Sequence, residues 1–188
     1  MDRVGEKHSC FSPLDFPADV GTDDSRLSIE LELGEQPVHD LDEQAFVELV
    51  LEEWWDAAAH ALPWAAMPLD DRFGELRRLA SALVASAVVN AGRPRDPQEA
   101  ARNGVISAAI QHGRFRGRQG GTWELLLFEL TFLSDALRIS VRELELPAAL
   151  TSRLERELAA GLRVAKPACS LGMREAANEA SASDSIRE

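Results

Sequence analysis

Apolar residues recur at spacings of three and four in five separate stretches of the chain. That spacing places them along one face of an α-helix. The first stretch follows Asp40, a good helix N-cap, with Glu43 three positions later in the place that a capping box requires. Pro63 stops it, so the pattern predicts a first helix from about Leu41 to Pro63. Its predicted inner face consists of Phe46, Val50, Trp54, Ala57 and Ala61.

Two further stretches predict the second and third helices. The second covers residues 70–92, with an inner face of Phe73, Leu76, Leu79, Leu83 and Ala87. The third has a strong start, because Asp96 is a good N-cap, Pro97 suits the first helical position and Glu99 completes a capping box. It should end near Gly117. Its predicted inner face consists of Ala101, Val105, Ala108, His112 and Phe115.

The last two stretches predict a buried helix and a narrower one. Thr122 is the predicted cap of the fourth helix, which carries apolar residues on most sides. These residues are Leu125, Leu126, Phe128, Leu130, Phe132, Leu133, Ala136, Leu137, Ile139 and Val141. The pattern therefore predicts a central helix that is buried on most sides. Pro147 separates it from the fifth helix, which Pro167 should end. The narrow stripe of the fifth helix is Leu150, Leu154, Leu158 and Leu162.

Five helices with short connections predict an all-α bundle over residues 40–166. The first 40 residues hold ten Asp or Glu against three Lys or Arg, with three prolines among them. Residues 1–39 are therefore predicted to form an acidic, mostly disordered arm. Residues 167–188 are rich in Ala, Ser and Glu, and we expect a disordered polar tail there.

One segment of the arm differs from its surroundings. From Leu27 to Leu33, apolar and polar residues alternate, which is the period of a β-strand. Two interpretations stay open. The segment is either a short extended piece without a partner, or a strand that adds to a sheet edge or packs on the domain or on a partner.

Charge and composition narrow the function classes. The net charge of −12 argues against nucleic-acid binding, which needs a basic surface. No apolar run approaches the roughly 20 residues that span a bilayer, and the N-terminus lacks the apolar stretch of a signal peptide. We therefore expect a cytoplasmic protein that does not enter membranes. The two cysteines, Cys10 and Cys169, have no CxxC spacing and no neighbouring His pair, so neither a disulfide framework nor a zinc site is expected.

Catalytic and cofactor motifs are not found in the sequence. It contains no HExxH, GxSxG or SxxK pattern and no strand followed by a glycine-rich phosphate-binding loop. We therefore expect neither an enzyme nor a bound cofactor, with His112 as the one weak candidate for cofactor binding. Its position on the inner face of the third helix predicts a buried histidine bonded to a carbonyl or a carboxylate. A haem ligand and a pH-sensitive switch are the alternatives.

Other polar residues of the third and fourth helices also need an explanation. Glu129 interrupts an apolar helix and must be paired or reach solvent, so we predict a pair with His112 or Arg116, the alternative being an exposed strip. Arg114, Arg116 and Arg118 lie at the end of the third helix, where the helix dipole stabilises cations. The alternative is a docking site for an acidic partner or for the protein's own arm.

Adjacent tryptophans mark the first helix. Trp54 and Trp55 cannot both face one core, so one of them is predicted to lie at a protein interface, where tryptophan is enriched. The narrow leucine stripe Leu150, Leu154 and Leu158 is a second surface that could pack on another copy of the chain. Both features favour a homodimer.

The segment His112–Gly120, followed by Glu124–Leu130, resembles a known family. That family is the N-terminal sensory domain of RsbT co-antagonist proteins, of the RsbR/RsbRD type. Its pattern has a histidine, an arginine one turn later, a glycine, and then a helix with two leucines and a glutamate. Trp54 or Trp55 and the long second helix also fit, and the resemblance covers about residues 41–166.

The resemblance implies a non-enzymatic regulatory module. Relatives precede an output domain, which is an STAS domain in stressosome proteins, a histidine-kinase core or a helix-turn-helix regulator. Related sensor domains are globin-like dimers without haem. Because only a polar stretch follows Pro167, we expect a module that acts by dimerisation and by binding a regulatory protein, such as a kinase or a stressosome component. The alternative is a small-molecule or haem-binding sensor with a pocket near His112.

Overall fold

The computed structural model describes residues 41–63, 69–92 and 99–184. Five helices occupy these ranges, which contain no strand. They are α1 (Glu43–Ala58), α2 (Leu69–Ala91), α3 (Glu99–Arg118), α4 (Trp123–Glu143) and α5 (Ala148–Asp184). The predicted all-α bundle of five helices is therefore confirmed, and its globin-like character stays a prediction. The predicted arm, with its alternating segment, lies outside the described residues, as does the predicted cap Asp96.

Helix α1 begins at a different aspartate from the predicted one. The carboxylate of Asp42 accepts hydrogen bonds from the backbone N–H groups of Gln44 and Ala45, both at 3.0 Å. An N-cap of this kind stabilises a helix by about 1 kcal/mol. The buried face consists of Phe46, Val47, Val50, Leu51, Trp54 and Ala58. Ala57 and Ala61, which were predicted to face inward, are exposed.

Helix α2 is bent close to its start. Gly74 has a φ of 35°, outside the helical range, and the ring of Phe115 from α3 fills the space where a Cβ would stand. Glycine tolerates this backbone conformation, which side chains other than hydrogen disfavour. Beyond the bend, the predicted inner face is confirmed at Leu76, Leu79, Leu83 and Ala87, all of which are buried.

Helices α3 and α5 pack unusually closely. A Cβ on Gly113 of α3 would overlap the backbone carbonyl of Cys169 on α5, and a Cβ on Gly172 of α5 would overlap the carbonyl of Ile110 on α3. Glycine permits this approach of two backbones. With this contact, the buried face of α3 consists of Val105, Ala109, His112, Gly113 and Arg116. Of the predicted inner face, only Val105 and His112 are fully buried, and Ala108 and Phe115 are half-buried.

Helix α4 packs along one side. Its predicted cap is confirmed, since the hydroxyl of Thr122 accepts a hydrogen bond from the N–H of Leu125 at 3.4 Å. The prediction that α4 is central and buried on most sides is wrong, because Phe128 is 60% exposed and Ile139 is 41% exposed. Helix α5 instead packs against α2, α3 and α4.

Helix α5 continues through Pro167 to Asp184. The prediction that Pro167 ends the helix is wrong, and so is the predicted disordered tail over residues 167–184. A proline inside a helix costs about 3 kcal/mol through a lost hydrogen bond and a clash with the preceding turn. Tertiary packing offsets this cost. The residues after the proline that become buried are Ala168, Cys169, Gly172 and Ala176.

All five helices contribute to one hydrophobic core. The predicted leucine stripe of α5 is part of it, from Leu150 to Leu162. Within the described ranges, no helix combines the length and the apolar character that crossing a membrane requires.

Candidate functional site

Three polar side chains meet between α3 and α4 with no exposure to solvent: His112, Arg116 and Glu129. Arg116 Nε lies 3.1 Å and 3.0 Å from the two carboxylate oxygens of Glu129, and Nη2 donates to Oε1 at 2.6 Å. His112 Nε2 lies 3.2 Å from Glu129 Oε2. The predicted pairing of Glu129 is confirmed with both candidate partners, and the alternative of an exposed strip is wrong. We call these three residues the buried charge cluster.

Local helix geometry places the cluster. His112 and Arg116 are four residues apart on α3 and so share a face. Trp54 of α1 donates its indole N–H to the backbone carbonyl of Glu129 at 3.3 Å, and Gln119 accepts from Arg116 Nη1 at 2.8 Å. The charged contacts therefore join α3 to α4, and the indole hydrogen bond of Trp54 joins α1 to α4.

The charge of Glu129 survives burial. Burial alone would raise the pKa of this carboxyl, but its electrostatic interactions with His112 and Arg116 and the hydrogen bonds from Arg116 outweigh burial and hold the pKa below its usual value. Glu129 is thus a carboxylate at neutral pH. Arg116 provides the bidentate fork that matches a carboxylate, which is the geometry of the stronger charge-assisted pairs.

His112 is enclosed rather than open to a ligand. Its Nε2 faces Glu129 out of line for a good hydrogen bond, and Nδ1 has no partner in the described part of the chain. A haem iron would have to displace Glu129 or enter a region closed to solvent, so this geometry does not favour a haem ligand. The described residues also contain no group of three or more His, Cys, Asp or Glu placed to hold a metal ion.

Cys169 lies in the same buried region. Burial is the main cause that raises the pKa of its thiol to about 12, and the negative charge of Glu129 is the second cause. The sulfur is therefore protonated at neutral pH and is a poor nucleophile. Its backbone carbonyl forms part of the close contact with Gly113. The residue contributes to helix packing, although it lies in the stretch that was predicted to be a disordered tail.

The three arginines at the end of α3 do not form one surface. Arg116 points into the core, whereas Arg114 pairs with Glu175 at 2.8 Å and Arg118 pairs with Glu179 at 2.8 Å. Both glutamates belong to the part of α5 that was predicted to be disordered. Glu175 and Glu179 lie four residues apart on one helix face, as Arg114 and Arg118 do. This shared spacing was the sequence signal that could have indicated the two ion pairs. The acidic groups that occupy these two arginines therefore come from within the bundle.

The two predicted dimer surfaces differ in how far they are buried. Trp54 is fully buried, and Trp55 is half-buried with its ring edge-on to Phe73 at 6.2 Å. The leucine stripe of α5 is buried inside the chain's own core. The prediction that this stripe packs on a second copy is therefore wrong, whereas an interface role for Trp55 stays a prediction.

Two features of the structure were not predicted as candidate sites. One is the outward face of α4 around Phe128 and Ile139. The other is a cavity of about 330 Å³ between α2, α3 and α5, with Asn90, Arg102 and Arg163 in its wall. Each of these polar residues looks like an ordinary solvated helix position in the sequence. Only tertiary packing brings them together.

Comparison with known proteins leaves the family resemblance as a hypothesis. No protein-family model matches the chain, and searches of curated proteins and of solved structures found no match either.

Proposed function

We propose that residues 41–184 form a non-enzymatic signalling module that pairs with a second copy of the chain and binds a regulatory protein. The regulatory partner would be a kinase or a stressosome component, as in the sensory domains that the sequence resembles. The residues that carry this resemblance include His112, Arg116 and Glu129, which meet in the buried charge cluster. Their contact supports treating them as one unit.

The observation that carries the proposal is the outward face of α4. Phe128 and Ile139 are exposed there, and Leu125 and Phe132, which continue the strip at helical spacing, are half-buried and also pack against the edge of the core. Phe128 is 60% exposed, and Ile139 is 41% exposed. Exposed apolar residues that form a strip mark interaction surfaces more often than single exposed residues do, and phenylalanine is enriched at interfaces. We call this strip the α4 face.

Charges flanking the α4 face favour a second copy as its occupant. Glu124 is exposed at the first turn of α4, and Arg138 and Arg142, which form exposed ion pairs with Asp135 and Glu155, lie near its other end. When two copies of α4 lie antiparallel, Glu124 of each copy comes close to these exposed arginines of the other. A two-fold axis makes such an interface self-complementary, which is the commonest arrangement in homodimers. Pairing also covers Phe128 on both chains.

Sedimentation velocity tests the pairing. The wild-type chain, of 20.6 kDa, should sediment as a dimer at tens of micromolar, and Phe128→Glu should sediment as a monomer with an unchanged helical circular dichroism spectrum. Leu171→Glu is the matched control, because Leu171 is 41% exposed on α5 and lies off the α4 face. A monomeric wild type, or equal effects of the two substitutions, would contradict the proposal.

Binding of the regulatory protein requires a separate measurement. Wild type and Phe128→Glu are each used as bait in the native host, and bound proteins are identified by mass spectrometry. We expect a kinase or a stressosome component with the wild type. Recovery of metabolic enzymes alone, in equal amounts with wild type and with Phe128→Glu, would contradict a signalling role.

A further inference from the structure

The cavity between α2, α3 and α5 carries two arginines that are free to bind an anion. Arg102 of α3 and Arg163 of α5 both line it, and both side chains are exposed. Neither has an ion pair within residues 41–63, 69–92 and 99–184. The other arginines that line helix contacts in this bundle are mostly paired, as Arg114 and Arg118 are. Two unpaired guanidinium groups at one opening suit a carboxylate.

The same cavity offers two hydrogen-bond acceptors. Asn90 Oδ1 is buried and has no donor in the described part of the chain. Glu157 of α5 also lines the cavity, is half-buried, and has no ion pair within the described ranges. A buried acceptor is normally satisfied by a donor, and a carboxylate beside it adds a negative charge. Together they suit an ammonium group.

The remaining wall is mostly apolar, and Ser86 adds one further polar residue to it. Val105 is 1% exposed, and Ala160 and Val164 are half-buried beside it. The volume of about 330 Å³ falls in the range of small-ligand sites, which are mostly apolar with a few polar groups that set orientation. Cations, acceptors and apolar side chains thus line one open cavity.

We infer that this cavity binds a free α-amino acid with an aliphatic side chain. Arg102 and Arg163 hold its carboxylate, Asn90 and Glu157 accept hydrogen bonds from its ammonium group, and the side chain rests on Val105. Binding at this cavity does not require the pairing of two chains, since the α4 face contributes none of these residues. The monomeric variant Phe128→Glu should therefore bind with unchanged affinity.

Isothermal titration calorimetry on the full chain tests the inference with L-valine and L-leucine at millimolar concentrations. We expect saturable binding of at least one of them. N-acetyl-L-valine lacks the ammonium group and L-valinamide lacks the carboxylate, so each should bind about tenfold more weakly or worse. These two derivatives are measured on unaltered protein, so the result does not depend on any variant folding.

Variants then locate the site. The double substitution Arg102→Gln, Arg163→Gln should weaken binding by about tenfold or more, while Arg156→Gln should change it by less than about twofold. Arg156 is an exposed arginine on α5 outside the cavity, so it matches the others in type. The inference is overturned if neither amino acid binds, if both derivatives bind as well as the parent, or if inorganic phosphate binds as tightly. Equal loss with Arg156→Gln would also overturn it.

Discussion

Replacing Glu129 with glutamine leaves the charge of Arg116 buried and unbalanced. Both side chains are fully buried and joined by a bidentate contact, so no water screens the loss. Removing one partner from a buried ion pair destabilises a protein by about 3–5 kcal/mol. For a chain of this size, each kcal/mol lowers the melting temperature by about 2–4 °C. The expected fall in melting temperature for Glu129→Gln is therefore about 6–20 °C.

Thermal and urea unfolding followed by circular dichroism at pH 7 measure this effect. The matched control is Glu179→Gln, which removes a carboxylate from the exposed pair with Arg118, whose side chains are 63% and 49% exposed. Exposed pairs contribute about 0–1 kcal/mol. The control should therefore have nearly the same melting temperature and free energy of unfolding as the wild type. The difference between the two variants then gives the effect of burying the ion pair.

Two results would refute this reasoning. One is a Glu129→Gln variant whose free energy of unfolding lies within about 1 kcal/mol of the control. The other comes from the double variant Arg116→Met, Glu129→Leu, which removes both charges. Apolar replacement of a whole buried pair is often neutral or stabilising, so the double variant should be more stable than Glu129→Gln. If it is less stable, an unpaired charge is not the cause of the loss.

Further predictions concern packing, pH and thiol reactivity. Gly113→Ala should lower the free energy of unfolding by about 1–3 kcal/mol, because the added Cβ overlaps the backbone of α5. Gly104→Ala adds a Cβ that meets no neighbouring atom and should raise the free energy of unfolding by about 0.5–1 kcal/mol. Urea unfolding that changes both stabilities in the same direction would contradict this. The lowered pKa of Glu129 means that its stabilisation is fully present above its ordinary value of 4.5 and is lost as the pH falls through the folded-state value. The difference in the free energy of unfolding between wild type and Glu129→Gln, measured in urea, should therefore become smaller below pH 4.5. A difference that stays constant with pH would contradict this prediction. In a Cys10→Ser background, Cys169 should react with a thiol reagent at pH 8 only after unfolding in guanidinium, and rapid labelling of the folded chain would contradict its raised pKa of about 12.

Features that depend on local spacing could be predicted from the sequence. Helical periodicity located all five helices, because the apolar face of a helix repeats within a few residues. The partner of Glu129 could also be predicted, since a carboxylate among leucines needs a nearby cation and the preceding helix supplied His112 and Arg116. Thr122 was identified as a cap because the residue type and its position suffice.

Features that depend on tertiary contact could not be predicted from the sequence. Pro167 is a strong local stop signal, but packing of the following residues on α3 outweighs it. Gly113 carries no packing signal in the sequence and Gly172 lies in the predicted tail, so their role becomes visible only where two backbones touch. The cavity residues Asn90, Arg102 and Arg163 come from three helices, and nothing in their individual spacing brings them together.

The buried charge cluster adds to the apolar side of α4 in fixing which way the helix faces. The buried leucines of α4 already define one apolar side, and Glu129 lies on that same side. Successive residues on a helix point about 100° apart, and a carboxylate fixed to Arg116 and His112 admits only one rotation. That rotation leaves Phe128 and Ile139 outside, on the α4 face. Buried polar contacts select a unique arrangement in some proteins at a cost in stability, and here the selected arrangement is the one that exposes the proposed pairing surface.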